Sequence, residues 1–523
     1  MGINLKNTVI GIEFGSTRIK AVLLDNNYQV ISSGDYTWEN SLINGIWTYS
    51  LAEVKTGLQK CFENLKSDYK SKYNDNLTTT GAIGVSGMMH GYLAFDKNDS
   101  QICEFRTWRN TITARAQEEL SKLFNFNIPQ RWSIAHLYEA ILKKEDHLKE
   151  LSYITTLAGY VHYVLTGKKI VGIGEASGIF PIDSSSNTYN KEMIDKFNNL
   201  SNVKEYGFDL NKILPEVKVA GEDGGTLTKQ GALFLDPTGE FNDEIKLVPC
   251  EGDAGTGMVA TNSVRVNTGN VSAGTSDFAM VVVDKMPKMH KEIDMVTTPS
   301  GKPVAMVHCN NCTSDINAWV NIVKESLETF GHSVDTNTLY TTLFNKALEG
   351  DKDCGGILSF NYYSGEGVTD FDEGRIVQLR KADSNFNLAN LMRNNLLSAL
   401  ATLKIGLDIL IKDEGVKIDK LYGHGGYFKT PKVGQLLLSA ASACPVSVME
   451  TAGEGGPYGM ALLCAYSLWN NNESLEDFLD NKVFKDSKVS TIEASKEDID
   501  GFNEYLNRYK KALKVEKSAI ENY

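Results

Sequence analysis

Two widely separated stretches of this 523-residue chain are built alike. Gly15-Ser16-Thr17 opens the run Arg18 to Asp25, and Gly274-Thr275-Ser276 opens the run Asp277 to Asp284. In both, a small Gly/Ser/Thr turn sits among apolar segments, Val9-Ile10-Gly11-Ile12 before the first and Val281-Val282-Val283 inside the second. An Asp follows the Gly by ten residues each time. The repetition predicts one hairpin used twice. A glycine-rich turn with two hydroxyls offers backbone N–H and O–H donors without side-chain bulk, which suits a phosphate. Two such turns can hold one polyphosphate from opposite sides, so the pattern predicts a nucleotide clamp.

The chain is longer than one hydrophobic core supports, so two domains are expected, and 42% hydrophobic content is enough to fill both. The formal net charge is −13, with Lys and Arg dispersed along the chain, which argues against nucleic acid as a partner. A nucleotide's phosphates would then need positive field supplied locally, from backbone N–H groups, a few Lys or Arg and a divalent metal. Met1 to Lys6 has no apolar signal core, and no stretch is expected to reach the roughly 18 apolar residues of a membrane span. A cytoplasmic protein with no membrane partner is therefore expected. Eight scattered cysteines read as reduced core residues, and Cys309-x-x-Cys312, without a second pair at zinc spacing, reads the same way.

The first half opens with three β-rich runs, Thr8–Phe14, Lys20–Asp25 and Tyr28–Ser33. Helical periodicity follows over Leu51–Tyr69, then a strand over Gly81–Val85. Helices are expected over Ala114–Phe124, His136–Leu148 and Thr155–Leu165. A buried strand, Lys246–Cys250, then leads into Glu251-Gly252-Asp253-Ala254-Gly255-Thr256-Gly257. The second half restarts the pattern: strands Val264–Val271, Phe278–Asp284 and Val304–His308, helices Ile316–Phe330 and Asn387–Lys412, strand Lys420–Gly423, helix Val433–Ala443, strand Val446–Met449 and helix Tyr458–Leu468. Duplication about a Gly-rich junction near residue 258 predicts two α/β domains, 1–258 and 259–523, facing each other across a cleft with the hinge between them.

Asp253 follows a strand and precedes a Gly-rich helix start. By itself it reads as an N-cap. The flanking glycines let a substrate approach the backbone closely, and the junction places the carboxylate where a phosphate acceptor would lie. Phosphoryl transfer needs a carboxylate that orients the acceptor hydroxyl and takes its proton late, a role open to an Asp of ordinary pKa.

Five segments occur in order along nearly the whole chain: Ile10-Gly11-Ile12-Glu13-Phe14-Gly15-Ser16-Thr17-Arg18-Ile19-Lys20, Gly252-Asp253, Ser272-Ala273-Gly274-Thr275-Ser276, Gly423-His424-Gly425-Gly426-Tyr427-Phe428-Lys429-Thr430-Pro431, and Gly459-Met460-Ala461. They resemble the first phosphate motif, catalytic Gly-Asp, second phosphate motif, adenosine motif and small-residue helix of the FGGY carbohydrate kinases. These belong to the actin, Hsp70 and sugar-kinase ATPase group, and the chain looks most like their xylulokinase branch. The resemblance implies two duplicated ribonuclease H-like α/β domains flanking an ATP cleft, the N-terminal one binding sugar and the C-terminal one binding ATP, with ATP and Mg²⁺ as cofactors. It implies Asp253 as catalytic base. Gly15, Ser16, Thr17, Lys20, Gly274, Thr275, Ser276, Gly425, Gly426 and Lys429 would bind ATP. Glu13 and Asp253 would hold the metal through water.

On the sugar side, Gly84-Val85-Ser86-Gly87-Met88-Met89-His90-Gly91 resembles the Gly-Gln-Met-His-Gly segment of xylulokinases. This implies Met89 and His90, with Trp108, Gly252 and Asp253, as binding residues for a small-molecule sugar. Five positions depart from the family pattern. Glu13 replaces an Asp, Met88 a Gln and His136 a Lys; Asn110 stands where Asp is common, and Tyr427 replaces a third Gly. The expected reaction is ATP-dependent phosphorylation of a primary hydroxyl of a ketopentose, D-xylulose first, with L-ribulose, another ketose or gluconate as alternatives. An Hsp70- or actin-like ATPase and a catalytically weak sugar sensor are the rivals of other classes. The C-terminal helix, Asp498–Lys517, packs either on its own domain or across a homodimer.

Overall fold

The computed structural model describes residues 3–449 and 455–523, which form two compact units. Unit 1 comprises Met1–Val264, Met295–Val304 and Glu454–Asp486, and unit 2 comprises Arg265–Asp294, Ala305–Gly453 and Ser487–Tyr523. The helix Asp253–Ala260 runs through residue 258, so the chain first leaves unit 1 after that helix has ended.

The main sheet of unit 1 has the order Lys246–Leu247, Ala82–Gly87, Val9–Phe14, Arg18–Leu24, Val30–Thr37, and Glu251–Gly252 also pairs with Ala82–Gly87. Val9–Phe14 lies antiparallel to Arg18–Leu24 and parallel to Ala82–Gly87. Val9, Ile10, Ile12 and Phe14 are all buried, as are Ala82, Ile83 and Val85, the near-continuous apolar run expected of strands covered on both faces. The helix Leu51–Tyr73 packs on Arg18–Leu24 and Val30–Thr37. It starts where Ser50 Oγ accepts the Glu53 N–H at 3.0 Å and stops at Asn74 in the left-handed region. The helix Gly455–Trp469 packs on Val9–Phe14, Ala82–Gly87 and the helix Asp253–Ala260.

Unit 2 repeats this arrangement. Its sheet has seven strands in the order Ile293–Thr297, Pro303–Cys309, Asp277–Val282, Thr268–Ala273, Lys420–His424, Val446–Met449, Val489–Ile492. Thr268–Ala273 is antiparallel to Asp277–Val282 and parallel to Lys420–His424, as Val9–Phe14 is to its two neighbours. The duplicated hairpin is therefore present in both units, each beside a parallel strand. The long helix Leu388–Asp408 and its π-helical extension Ile409–Asp413 differ from one expectation: this segment is apolar and long enough to pass as a membrane span. It is mostly buried inside the protein, as the central helix of unit 2. The C-terminal helix Lys496–Asn522 buries Phe502, Tyr505, Leu506 and Tyr509 within the same unit, where Tyr509 meets Phe360 at 4.5 Å between ring centres.

Several boundaries move from the sequence expectation. The helix expected over His136–Leu148 spans Ser133–Lys143 and stops at Lys144, which takes φ +54° without a glycine to announce it. Thr155 is the last residue of a short strand, and Thr156 caps the helix Leu157–Thr166. The hairpin formed by Ser41–Ile43 and Ile46–Thr48 gave no alternating signal strong enough to be read.

Candidate active site

Three parallel strands of unit 1 end side by side. Glu13 is in register with Ser86, and Ser86 with Glu251. The chain leaving these ends supplies the first phosphate turn Gly15-Ser16-Thr17, the Met88-Met89-His90 segment, and Asp253. Met88 N–H extends the pairing by donating to Phe14 O at 2.9 Å, and Met89 N–H donates to Asp253 Oδ1 at 3.1 Å. Carboxyl ends of parallel strands are where α/β proteins collect polar groups from different parts of the chain, and the same logic operates here.

The structure corrects the N-cap reading of Asp253. Gly252 occupies the cap position of the helix Asp253–Ala260, and Asp253 is its first residue. Its carboxylate accepts the amide of Met89, 164 residues earlier in the chain. Nor is its pKa that of an ordinary Asp. Desolvation raises it to about 6, against the lowering effect of the Met89 and Ala254 N–H groups.

Glu13 lies directly across the hairpin from Lys20. Burial, and next the charge of Asp253, raise its carboxyl to about 7, while Lys20 pulls the other way. The carboxylate sits over Gly456, where any Cβ would overlap it. Two carboxylates of which one raises the other make an oxygen donor pair that a cation would relieve. Such a pair suits Mg²⁺, which keeps most of its waters and takes one or two carboxylates. Among the described residues there is no cluster of three or more His, Cys, Asp or Glu able to hold a metal.

The expected sugar residues are largely enclosed. Met89 and His90 are buried, and His90 (φ +70°) stacks on Trp132 at 6.2 Å with Nδ1 at 3.4 Å from Gly178 O. Trp108 is 40% exposed, and its Nε1 donates to Ser16 Oγ at 3.3 Å. That hydroxyl is also 3.9 Å from Met88 Sδ, so Ser16 joins the phosphate turn to the Met-His segment. Two acidic residues escaped the sequence reading. Glu251 accepts the N–H groups of Gly174 and Glu175, and burial raises its carboxyl to about 8. Glu175 is fully buried and held well above the carboxylate range, chiefly by desolvation. A Cβ on Gly252 would meet both Met89 and Glu175, which places the two against the Gly252-Asp253 dipeptide. A lone Glu between Gly174 and Ala176 carries no sequence signal of this.

Three of the departures from the family pattern prove to be structural. Asn110 accepts Trp47 N–H at 2.9 Å and donates to Trp47 O at 2.8 Å, a pairing Asp could not complete because it lacks the donor. Tyr427 is buried and donates to Leu396 O at 2.9 Å. His136 is fully buried, with neither ring nitrogen hydrogen-bonded within the protein. Burial, and then the Arg106 charge, lower its pKa from 6.5 to about 3. The folded state therefore holds it neutral, and stability from this group is present above pH ~6.5 and lost as pH falls toward ~3, by about 1.4 kcal/mol per pH unit. His136→Leu should accordingly gain about 2 kcal/mol relative to the parent on going from pH 7.5 to pH 5. Urea unfolding at the two pH values measures this, and an equal difference at both would refute it.

In unit 2 the parallel pair Thr268–Ala273 and Lys420–His424 likewise ends together, Ser272 in register with His424. Gly274-Thr275-Ser276 and Gly425-Gly426 follow directly, so the second phosphate turn and the adenosine motif leave adjacent strand ends. Thr275, Gly425, Gly426 and Lys429 are exposed. Cys309 and Cys312 are buried, and desolvation pushes both thiols well above their usual range, away from redox or ligand chemistry. The segment contributes its backbone instead: Cys312 N–H donates to Thr275 O at 2.9 Å, and Thr313 N–H to Gly274 O at 3.0 Å. Asp277, next after the turn, is buried with its carboxyl raised well above the usual range by burial and then by Glu366.

Residues 8–259 match the model of the N-terminal domain of the FGGY family of carbohydrate kinases, and residues 269–468 match that of its C-terminal domain. The xylulose kinase of Haemophilus influenzae is 23% identical over 490 residues, covering 90% of this chain and 92% of that protein. Among solved structures, a xyloylose kinase from Brucella ovis superposes with a TM-score of 0.79 at 16% identity, covering 98% of this chain and 100% of the other. A gluconate kinase from Lactobacillus acidophilus gives 0.78 at 15% identity, covering 97% and 98%.

Proposed function

The chain belongs to the FGGY family of carbohydrate kinases, and within it we propose that this protein transfers the terminal phosphoryl group of ATP to a primary hydroxyl of D-xylulose, giving D-xylulose 5-phosphate. The observation that carries this reading is the meeting of a phosphate turn, the Met89-His90 segment and Asp253 at three adjacent strand ends. The xylulose kinase relative, similar over nine-tenths of the chain, favours a ketopentose as the acceptor.

In this mechanism Met89, His90 and Trp108 enclose the open-chain sugar, and the glycine at 252 lets it approach the backbone. Asp253 accepts the hydrogen bond of the reacting hydroxyl and takes its proton late, as a loose transition state requires. Gly15, Ser16, Thr17 and Lys20 would contact phosphates, as would Gly274, Thr275 and Ser276, and Gly425, Gly426 and Lys429 would serve the adenosine. Glu13 and Asp253 would hold Mg²⁺ through water, and the metal when bound would supply charge neutralisation at the phosphate oxygens. Glu13 is one methylene longer than the family Asp, a difference that one intervening water can absorb.

The test is ADP release measured with ATP·Mg²⁺ and a panel of ketoses, polyols and aldonates. Release that depends on D-xylulose is the expected result. Preference for L-ribulose, another ketose or gluconate would move the acceptor within the same chemistry. Sugar-independent release would mean an ATPase, and none at all a sensor.

A further inference from the structure

The first phosphate turn is held from behind by aromatic side chains. Gly15 O accepts Trp38 Nε1–H at 2.7 Å, Ser16 O accepts the Tyr49 hydroxyl at 2.5 Å, and Thr17 O accepts Trp38 N–H at 3.1 Å. Three consecutive carbonyls are thus engaged by two residues. Trp38 and Tyr49 stack on each other at 4.2 Å, Trp38 meets Phe14 edge-on at 5.9 Å, and each is only 3% exposed. The second phosphate turn has the same need and a different solution. There Gly274 O accepts both the amide and the hydroxyl of Thr313, and Thr275 O accepts the amide of Cys312. In unit 2 the carbonyls are held mainly by backbone, and in unit 1 mainly by side chains.

We propose that Trp38 and Tyr49 are positioning residues that fix the first phosphate turn with its carbonyls turned inward, so that the Ser16 and Thr17 amides and hydroxyls stay presented to the ATP phosphates, the Gly15 amide being engaged by Arg18 O across the hairpin. A peptide plane has its carbonyl and N–H on opposite sides, so engaging three successive carbonyls sets the direction of the neighbouring N–H groups. A turn left to itself would spend part of its time with carbonyl oxygens toward the phosphate, which they repel, and ordering it on binding would weaken affinity. The Tyr49 hydroxyl suits the task because burial raises its pKa to about 12, keeping it a donor across the working pH range. Ser16, whose carbonyl Tyr49 holds, is also the residue whose hydroxyl meets Trp108, so the brace fixes the link between phosphate turn and sugar side as well.

This inference rests on the proposal that Gly15-Ser16-Thr17 binds phosphate, and its test separates the two. Dissociation constants for ATP and for adenosine are measured by calorimetry, with Mg²⁺ and without sugar, on the full chain and its Thr17→Asp, Tyr49→Phe and Trp38→Phe variants. Tyr49→Phe removes one hydroxyl and leaves the ring, so the melting temperature should hold. ATP binding should weaken about 3- to 10-fold, the range of one lost hydrogen bond, while adenosine binding stays unchanged. Trp38→Phe should lower the ATP-to-adenosine affinity ratio in the same direction and serves if Tyr49→Phe does not fold. Thr17→Asp sets a charge at the exposed turn and should abolish the advantage of ATP over adenosine. An unchanged ratio in Thr17→Asp would overturn phosphate binding at this turn. A changed ratio there with unchanged ratios in both aromatic variants would overturn the positioning role, as would equal losses for ATP and adenosine.

Discussion

Asp253→Asn should lower turnover by about 10³-fold with the affinity for ATP unchanged, the middle of the range general-base catalysis contributes. Asn is the informative replacement because it keeps an oxygen for the Met89 amide, now at 3.1 Å, and so leaves the strand-end junction intact. What it removes is the capacity to take the proton of the acceptor hydroxyl. The same assignment fixes a pH dependence. With the carboxyl raised to about 6, the base form is present above that value and is lost as pH falls through it. Hence kcat/KM of the parent should fall tenfold per unit below pH ~6, while the residual rate of the variant should not share that limb. Steady-state ADP release with the accepted sugar measures both. Near-parental turnover in Asp253→Asn, or an identical acid limb in the two proteins, would remove Asp253 from the role of base.

The parts of this site that could be read in the sequence are those coded by short-range patterns. The turns at Gly15 and Gly274 were legible because small residues interrupt β-rich apolar runs, and the strands on either side pair as the spacing requires. Asp253 was legible as a position and misread as a contact: its own helix offered a local partner, and the Met89 amide that it binds is 164 residues away. The role of Asn110 could not be read for a similar reason. In sequence it is an Asp-like polar residue near a Trp, but folding sets it against Trp47, whose backbone needs one donor and one acceptor. Trp38 and Tyr49 gave no signal, since an aromatic ring near a strand usually means core, and here each ring is core while its polar atom serves the turn. Lys144 illustrates the limit for element ends, where tertiary packing sets a left-handed residue that no Gly or Asn announces.

Gly459→Ala should lower the melting temperature by about 3–5 °C, although helix propensity alone argues the opposite sign, a gain of about 1 kcal/mol for Gly to Ala in a helix interior. Gly459 lies in the helix Gly455–Trp469, which packs on the helix Asp253–Ala260. A Cβ at 459 would overlap the carbonyl oxygen of Thr256, a backbone atom that cannot swing aside as a side chain would. The Gly455–Trp469 helix cannot retreat either, because a Cβ on Gly11 would overlap its backbone at Pro457 and come within 2.5 Å of Ala461 N, so strand and helix are already in close approach. One of the two helices must therefore shift, at a cost of about 3 kcal/mol or more. Asp253 is the first residue of the helix pressed by the new methyl group, so the folded fraction should lose turnover as well, with the acid limb of its pH profile displaced. Ala465→Gly, in the same helix, gives the comparison: it should cost about 2 kcal/mol of stability, from propensity and the loss of a buried methyl group, and leave kcat near that of the parent. Thermal unfolding and ADP release on the pair decide the matter, and a stabilised, fully active Gly459→Ala would mean that the helices do not approach as closely as their backbones indicate.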